Sequence, residues 1–512
     1  MRRPLAPQAA LAAALGALQS LACVHTALWW LPMACAALLV LRLNGVPVRA
    51  AALLGWAYGT GWLVAGVWWL YISLHRYGGL PAWMTVLAVL LLVAALSLYL
   101  SAACAAYARW RRGSLVADSL LFSAVWLLAE LARGVLFTGF PWVASGYSQV
   151  DAPLASLAPW LGVYGIGAVM ALVAAGFGNL GQLMPGRRWR TGAGLVAAVA
   201  LVGVGGPINF TEPAGRMRVT LVQTGVPQDE KFAAERLPAT LSWLAATLQA
   251  ARGELVLAPE TAIPLLPEQL AQFDPGWWDT LRQSFAQPGR HLLLGLPLGD
   301  YTRGYTNSVA GLSAQAAATG GPGGFYRYDK HHLVPFGELI PPGFRWFTEL
   351  MNIPLGDFAR GPVDAPSFVV GAQRVAPNIC YEDLFGEDLA VRFVDSARAP
   401  TVLANVSNIG WFGDTIALPQ HLNITRLRTL ELQRPMLRAT NTGVTAIVDA
   451  NARVVQQLAP FTRGVLDGSV EGRSGTTPFA WWAGRFGLWP PLLLALSVVG
   501  AAARRRSPRV RP

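Results

Sequence analysis

Arg218-Val219-Thr220-Leu221-Val222-Gln223 is the first stretch in which apolar and polar residues alternate, after a long N-terminal region of nearly continuous apolar runs. Alternation with a period of two marks a strand with one buried face. From 215 to about 475 such runs recur between helical stretches: a helix near 233–251, the strand Glu254-Leu255-Val256-Leu257-Ala258, a helix near 267–285 and a strand at 291–296. Further strands are expected near 305–312, 324–329, 366–379, 400–406, 443–449 and 453–458, with a long helix at about 419–437. Strands alternating with helices predict an α/β domain, and this stretch is long enough to bury a core of its own.

The rest of the chain has a different character. With 54% hydrophobic and 13% charged residues, the sequence is too apolar for an ordinary soluble globule. Apolar runs at 9–24, 27–42, 51–74, 82–108, 116–132, 158–184 and 192–208, with a last one at 486–503, mostly approach the length of about 20 residues that crosses a bilayer. Arg2-Arg3 before the first run resembles a signal peptide, but more runs follow at once, so it reads as an uncleaved first membrane helix. The expected architecture is a polytopic α-helical bundle of about eight spans plus an α/β domain. Residues 1–212 form the membrane domain with about seven helices, 213–477 the extracytoplasmic domain, and 478–512 the final helix with a basic tail.

The net charge of +12 raises the question of nucleic acid, and its location answers it. Residues 1–200 carry 12 Arg against Asp118, Glu130 and Asp151, and the last nine residues add five Arg. The remaining 201–503 hold 23 bases and 25 acids, so the polar region is nearly neutral and nucleic acid is excluded as a partner. Counting loops alternately, one side receives Arg2-Arg3, Arg42 with Arg49, Arg109 with Arg111 and Arg112, Arg187 with Arg188 and Arg190, and finally Arg504-Arg505-Arg506. The other side receives little beyond Arg76 and Arg133. The positive-inside rule then makes both termini cytoplasmic and puts everything from about 213 on the opposite face. Glu130 and Arg133, three apart near a helix end, read as a local ion pair rather than a proton path.

Cys23, Cys35 and Cys104 fall within apolar runs, which leaves Cys380 as a free thiol. The six histidines show no ligand spacing, so neither a metal nor a cofactor is expected. Three strand ends carry reactive groups: Leu257-Ala258-Pro259-Glu260 a carboxylate, Tyr328-Asp329-Lys330 an amine, and Asn378-Ile379-Cys380 the thiol. Lys330 stands out because the chain has only two lysines, the other being Lys231, against 38 arginines, and an amine kept at a strand end suggests a need for a compact cation that Arg cannot replace. Singly, each group is more often a surface charge or a core thiol. Together, base, cation and nucleophile describe acyl transfer.

Pro259-Glu260, Tyr328-Asp329-Lys330-His331-His332-Leu333-Val334-Pro335-Phe336-Gly337-Glu338 and Ile379-Cys380-Tyr381-Glu382 resemble the Glu, Lys and Cys motifs of the nitrilase (carbon-nitrogen hydrolase) superfamily. The whole chain resembles the apolipoprotein N-acyltransferases of bacterial inner membranes, with further matching stretches at Thr138-Gly139-Phe140-Pro141-Trp142, Asn408 to Asp414, Gln433-Arg434-Pro435 and Arg438 to Asn441. The resemblance implies a four-layer αββα sandwich and a ping-pong reaction through a Cys380 thioester, with a membrane phospholipid as acyl donor and a diacylated apolipoprotein as acceptor. It makes Glu260 the base and Lys330 the cation, the two together favouring the thiolate. Glu338 and Glu382 would hold the site in register and Tyr381 would line it. Asn307, Trp411 and Phe412 become pocket residues, and Phe232 stands where the family carries Trp, keeping an aromatic wall without an indole. The Pro- and Gly-broken loop 339–365, with Phe344, Trp346, Phe347, Leu350 and Phe358, is expected to face a bilayer or an acyl chain, and Trp142 to border a lipid entry route. A monomer is expected. Two rivals stay open: a membrane-tethered amidase acting on a small amide, and a transporter or sensor with a non-catalytic outer domain, which should carry intramembrane charges that this chain largely lacks.

Overall fold

The computed structural model describes residues 4–206, 208–319, 323–340, 343 and 357–504. They form two units. The first takes the described residues up to Leu70, then Ala82–Ile208 and those from Phe486 onward; the second takes Tyr71–Pro81 and Asn209–Arg485.

In the first unit six helices are long and apolar enough to cross a membrane: Leu5–Cys23, Thr26–Leu43, Val48–Val67, Ala82–Trp110, Leu115–Thr138 and Pro153–Gly178. A seventh crossing is counted if the broken pair Pro478–Phe486 and Trp489–Arg504 makes one span. Among the described residues, then, six or seven candidates stand where about eight were expected. The apolar run at 192–208 belongs largely to the helix Pro185–Val204, whose opening turns hold Arg187, Arg188 and Arg190, and too little of its length is apolar. The last helix has 16 residues, a rise of about 24 Å against a hydrocarbon core of about 30 Å.

Inside this unit Trp62 and Trp126 stack with centroids 5.7 Å apart. Glu130 and Arg133 form a buried ion pair at 3.6 Å. Glu130 accepts the Ser145 N–H at 2.7 Å and hydroxyl at 2.8 Å, and Arg133 donates to the carbonyls of Phe140 at 3.1 Å and Trp142 at 2.7 Å. The pair therefore pins the aromatic turn to its helix. Desolvating two charges is offset here by hydrogen bonds on both partners.

The second unit contains two six-stranded sheets. The first has the order β12-β1-β2-β3-β4-β5, built from β1 Thr211–Gln223, β2 Leu255–Leu257, β3 His291–Asp300, β4 Gly304–Leu312, β5 Tyr326–Asp329 and β12 Gly464–Gly475. The second has the order β11-β10-β9-β8-β7-β6, built from β6 Phe368–Val370, β7 Gln373–Ile379, β8 Val402–Ser407, β9 Met436–Thr440, β10 Ala446–Val448 and β11 Val454–Gln457. At the centre of each sheet three strands run parallel, β1-β2-β3 and β7-β8-β9, and the flanking strands pair antiparallel. Strands covered on both faces need no polar side, which is why β2 and β8 are buried along their whole length.

Three apolar clusters define the layers. Val219, Leu221, Leu257 and Leu293 of the first sheet pack with Val375, Ile379, Ala404 and Leu437 of the second. Leu244, Leu248, Leu281 and Phe285 of the helices Leu237–Ala250 and Trp277–Phe285 cover the outer face of the first sheet. Leu389, Phe479 and Ala483 of the helices Gly386–Val391 and Pro478–Phe486 cover that of the second. This is the expected αββα sandwich.

Local differences from the sequence reading have local causes. The helix expected at 267–285 is two, Pro267–Phe273 and Trp277–Phe285, separated by Asp274-Pro275-Gly276. The helix expected to run to 437 spans Ala417–Leu432 and stops at Gln433, which takes a left-handed conformation at φ 47°. Arg434-Pro435 then leads into β9, a central strand that the expected helix overran.

Candidate active site

Glu260 follows β2, Lys330 follows β5 and Cys380 follows β7, so all three reactive groups stand just past the carboxyl ends of strands, where open α/β sheets commonly build sites. Gly295 on β3 allows the Glu260 turn its close approach: a Cβ there would stand 2.3 Å from the Pro259 carbonyl oxygen and 2.7 Å from the Glu260 Cα.

The Glu260 carboxylate is buried and fully engaged. Oε1 accepts from Asn307 Nδ2 at 2.7 Å and from Lys330 Nζ at 3.4 Å, and Oε2 accepts the Asn408 N–H at 2.7 Å. Burial works against its charge, but Lys330, the Asn307 amide, Lys231 and the Asn408 N–H outweigh it and hold the carboxyl below the usual carboxylate range. Lys330, 1% exposed, also donates to Glu338 Oε1 at 2.9 Å. Burial alone would lower its pKa, but Glu338 and Glu260, with Cys380, raise it, so it is a permanent cation. Asn307 closes the group: Nδ2 also donates to Glu338 Oε1 at 2.6 Å, and the Lys330 N–H donates to the Asn307 carbonyl at 2.8 Å. Two carboxylate acceptors leave one orientation for that amide. Glu338 Oε2 accepts the Val334 N–H at 2.9 Å.

Cys380 opens the short turn Cys380–Leu384 and takes φ 52°, a region costly for a residue with a side chain and frequent at functional sites. Two contacts stabilise it. Glu382 Oε2 accepts the Ile379 N–H at 2.6 Å, and Asn405 Nδ2 donates to the Cys380 carbonyl at 3.2 Å. The thiol, half-buried, is pushed up from its ordinary value by burial first and by the Glu260 charge next, with Lys330 pulling the other way. The sequence reading had Glu260 and Lys330 together favouring a thiolate. The electrostatics of the site run the other way, burial and the ionised Glu260 raising the thiol against the pull of the lysine.

A family model described as the apolipoprotein N-acyltransferase N-terminal domain matches residues 15–176, and one described as carbon-nitrogen hydrolase matches residues 218–478. The chain is 49% identical over 484 residues to the apolipoprotein N-acyltransferase of Verminephrobacter eiseniae, covering 90% of this chain and 89% of that protein. It is 44% identical over 510 residues to that of Ralstonia nicotianae, covering 97% and 93%. The chain belongs to the apolipoprotein N-acyltransferase family. It is a membrane protein and an N-acyltransferase.

Of the other residues the sequence singled out, Tyr381 is 5% exposed, edge-on to Phe385 at 5.2 Å. Half-buried Trp411 meets Tyr77 edge-on at 5.7 Å, and Phe232 and Phe412 are half-buried too. Phe358 is half-buried against Tyr305 at 5.0 Å, its N–H donating to the Glu338 carbonyl at 2.9 Å. Trp142 is 3% exposed inside the first unit, 4.9 Å from Trp69. Phe344, Trp346, Phe347 and Leu350 lie outside the described residues. Among the described residues no three His, Cys, Asp or Glu side chains are grouped to hold a metal ion.

Sequence reasoning missed several members of the site. Asn408 holds Glu260 and is held in turn by Asn441 Nδ2 at 3.0 Å. Behind the thiol turn, Asp383 accepts from Thr425 at 2.7 Å and pairs with His421 at 3.0 Å and Arg438 at 3.5 Å, all buried. A guanidinium only donates, so Arg438 at 2.6 Å from His421 Nδ1 makes that nitrogen the acceptor, and Nε2 carries the hydrogen given to Asp383. Burial and Arg438 keep His421 neutral, its pKa lowered against the pull of Asp383.

Proposed function

We propose that this family member moves an acyl chain from a membrane phospholipid to Cys380 and then to the N-terminal amine of a diacylglyceryl-modified apolipoprotein. The observation that supports this best is one connected group, Glu260, Lys330, Glu338 and Asn307, whose charges act on the Cys380 thiol. In the first half-reaction the thiol proton passes to Glu260 as sulfur bonds to the ester carbonyl carbon. Lys330 and a main-chain N–H near Tyr381 take the charge developing on the carbonyl oxygen. The C–O bond then breaks and the proton on Glu260 goes to the departing lysophospholipid oxygen. In the second, the amine nitrogen attacks the thioester, Glu260 removes its proton, the C–S bond breaks and the sulfur regains a proton.

A protonated resting thiol suits this order: without substrate to take the charge, sulfur stays a poor nucleophile towards adventitious electrophiles. The arginine pattern supports a bacterial inner membrane location with the catalytic unit on the periplasmic face and both termini cytoplasmic, a topology in which the helix Pro185–Val204 and the broken C-terminal pair both cross in addition to the six long helices. Lipid-anchored donor and acceptor then reach the site without leaving the membrane. The test is to incubate purified protein with phospholipid labelled in its acyl chain. A hydroxylamine-sensitive label on Cys380 is expected. No label, together with turnover of a small amide, would make the protein a hydrolase instead.

A further inference from the structure

The chain's two lysines converge on one residue. Lys330 Nζ lies on the Glu260 carboxylate at 3.4 Å, and Lys231 Nζ donates to the Glu260 main-chain carbonyl at 3.1 Å. Lys231 is 6% exposed and has no ion pair within 4.0 Å among the described residues. Its loop is built into the site's own network: Asn441 Oδ1 accepts from Thr224 Oγ1 and the Val226 N–H, and Asn408, which binds the Glu260 carboxylate, donates through Nδ2 to Gln228. The peptide that Lys231 holds leads into Thr261, at φ 49°.

We propose that Lys231 is a positioning residue of the transfer reaction, a second buried cation that fixes the Glu260 main chain and balances the charge of the Glu260–Cys380 pair. The proposal rests on the acyl-transfer reading above. Facing Lys231 are Glu260 after β2 and Cys380 after β7, with Lys330 and Glu338 beside them. On its own loop, Asp229 pairs with Arg76 at 2.6 Å and Glu230 with Arg236 at 3.4 Å, so both acids are turned to other partners. In the immediate group two carboxylates then meet two ammoniums, and the thiol is neutral. Attack moves the thiol proton onto Glu260 and leaves one negative charge on the substrate oxygen, with the local balance still at zero. If Lys231 loses its proton, the same negative charge forms in a group already carrying one in excess, at low dielectric, where the repulsion is strong. A surface lysine tying down a carbonyl would titrate far above neutrality. Burial pushes Lys231 down to about 8, against the pull of Glu260 and Cys380.

The experiment is single-turnover acylation of Cys380 by phospholipid, followed by intact mass from pH 7 to pH 9 in wild type, Lys231→Met and Lys231→Arg. In wild type the rate is expected to fall about tenfold over that range, as a group of pKa near 8 loses its proton. Lys231→Met is expected to be slower by about tenfold or more at pH 7 and flat to pH 9. Lys231→Arg keeps its charge and is expected to lose the fall towards pH 9. Melting temperatures of the three separate slow chemistry from misfolding. A flat wild-type profile, or a folded Lys231→Met protein with the wild-type rate and the same alkaline fall, overturns the proposal while leaving Cys380 acylation intact. A wild type that never acylates Cys380 overturns the underlying reading instead.

Discussion

The carboxylate of Glu382 accepts the main-chain N–H of His331 at 2.7 Å, and so ties the turn that carries the thiol to the residue after Lys330. The same side chain accepts from His332 N–H at 3.2 Å, Ile379 N–H at 2.6 Å and the Tyr328 hydroxyl at 2.7 Å. Four donors converge on a buried carboxylate, and the nucleophile and the cation are held in register by it. Glu382→Gln replaces one acceptor with a donor facing N–H groups. It is expected to cost about 1–3 kcal/mol of stability and about a hundredfold in Cys380 acylation through misplacement. Denaturation and single-turnover mass measurements on the same preparation check both.

Asn307 gives both amide hydrogens to carboxylates, Glu260 at 2.7 Å and Glu338 at 2.6 Å. Asn307→Asp would set a third carboxylate against these two in a buried site. Acylation at pH 7 is expected to fall by about a hundredfold or more. Lowering the pH should restore part of it, because protonating one of the three relieves the repulsion; activity that falls further instead would contradict this reading of the amide.

Glu260 is held below its ordinary value, so its ionised form contributes stability that is fully present above the unfolded-state pKa and lost as pH falls through the lower folded one. Wild type should therefore lose stability relative to Glu260→Gln as the pH drops below about 4. Thermal melts of both proteins from pH 7 to pH 3 read this directly, and parallel curves would count against it.

Lys231 contributes a slope of the same sign in a higher window. Its folded pKa, lowered to about 8 from 10.5, means the folded protein binds fewer protons than the unfolded chain between those values. Stability from this group rises with pH across that window, by roughly 3 kcal/mol at full extent. Lys231→Met should lack the rise and be the more stable protein at pH 7, as denaturation at pH 7 and pH 10 will show.

Much of the site was legible because each reactive group ends a strand: the alternating run before Cys380 and the apolar run before Glu260 announce strands, and the charged turn after each marks where the strand stops. Lys330 was visible as one of two lysines among 38 arginines. Glu338, Glu382 and Asn307 were named through the family motifs, but the other residues that brace these groups were not legible. Asn408 and Asn441 follow strands and Asn405 lies within β8, in a sheet whose strand order is a tertiary fact, and an asparagine after a strand reads equally well as a turn. Lys231 sits in a loop between Asp229-Glu230 and Phe232, where local sequence suggests a solvated charge. β12 was missed because its exposure alternates along an edge of the sheet and few of its residues are apolar. β9 was hidden by the helix before it, although Pro435 marked where that helix had to stop.

An acyl chain that rests on Cys380 between donor and acceptor can be weighed. The most direct test is the intact mass of the purified protein after phospholipid alone, and again after a diacylated lipopeptide with a free N-terminal amine is added. One acyl increment is expected on Cys380 in the first spectrum, and in the second its disappearance with matching N-acylation of the peptide. A protein that transfers the chain to the peptide with no increment at any time, or whose Cys380→Ala variant transfers it at the wild-type rate, would rule out a Cys380 thioester on the path.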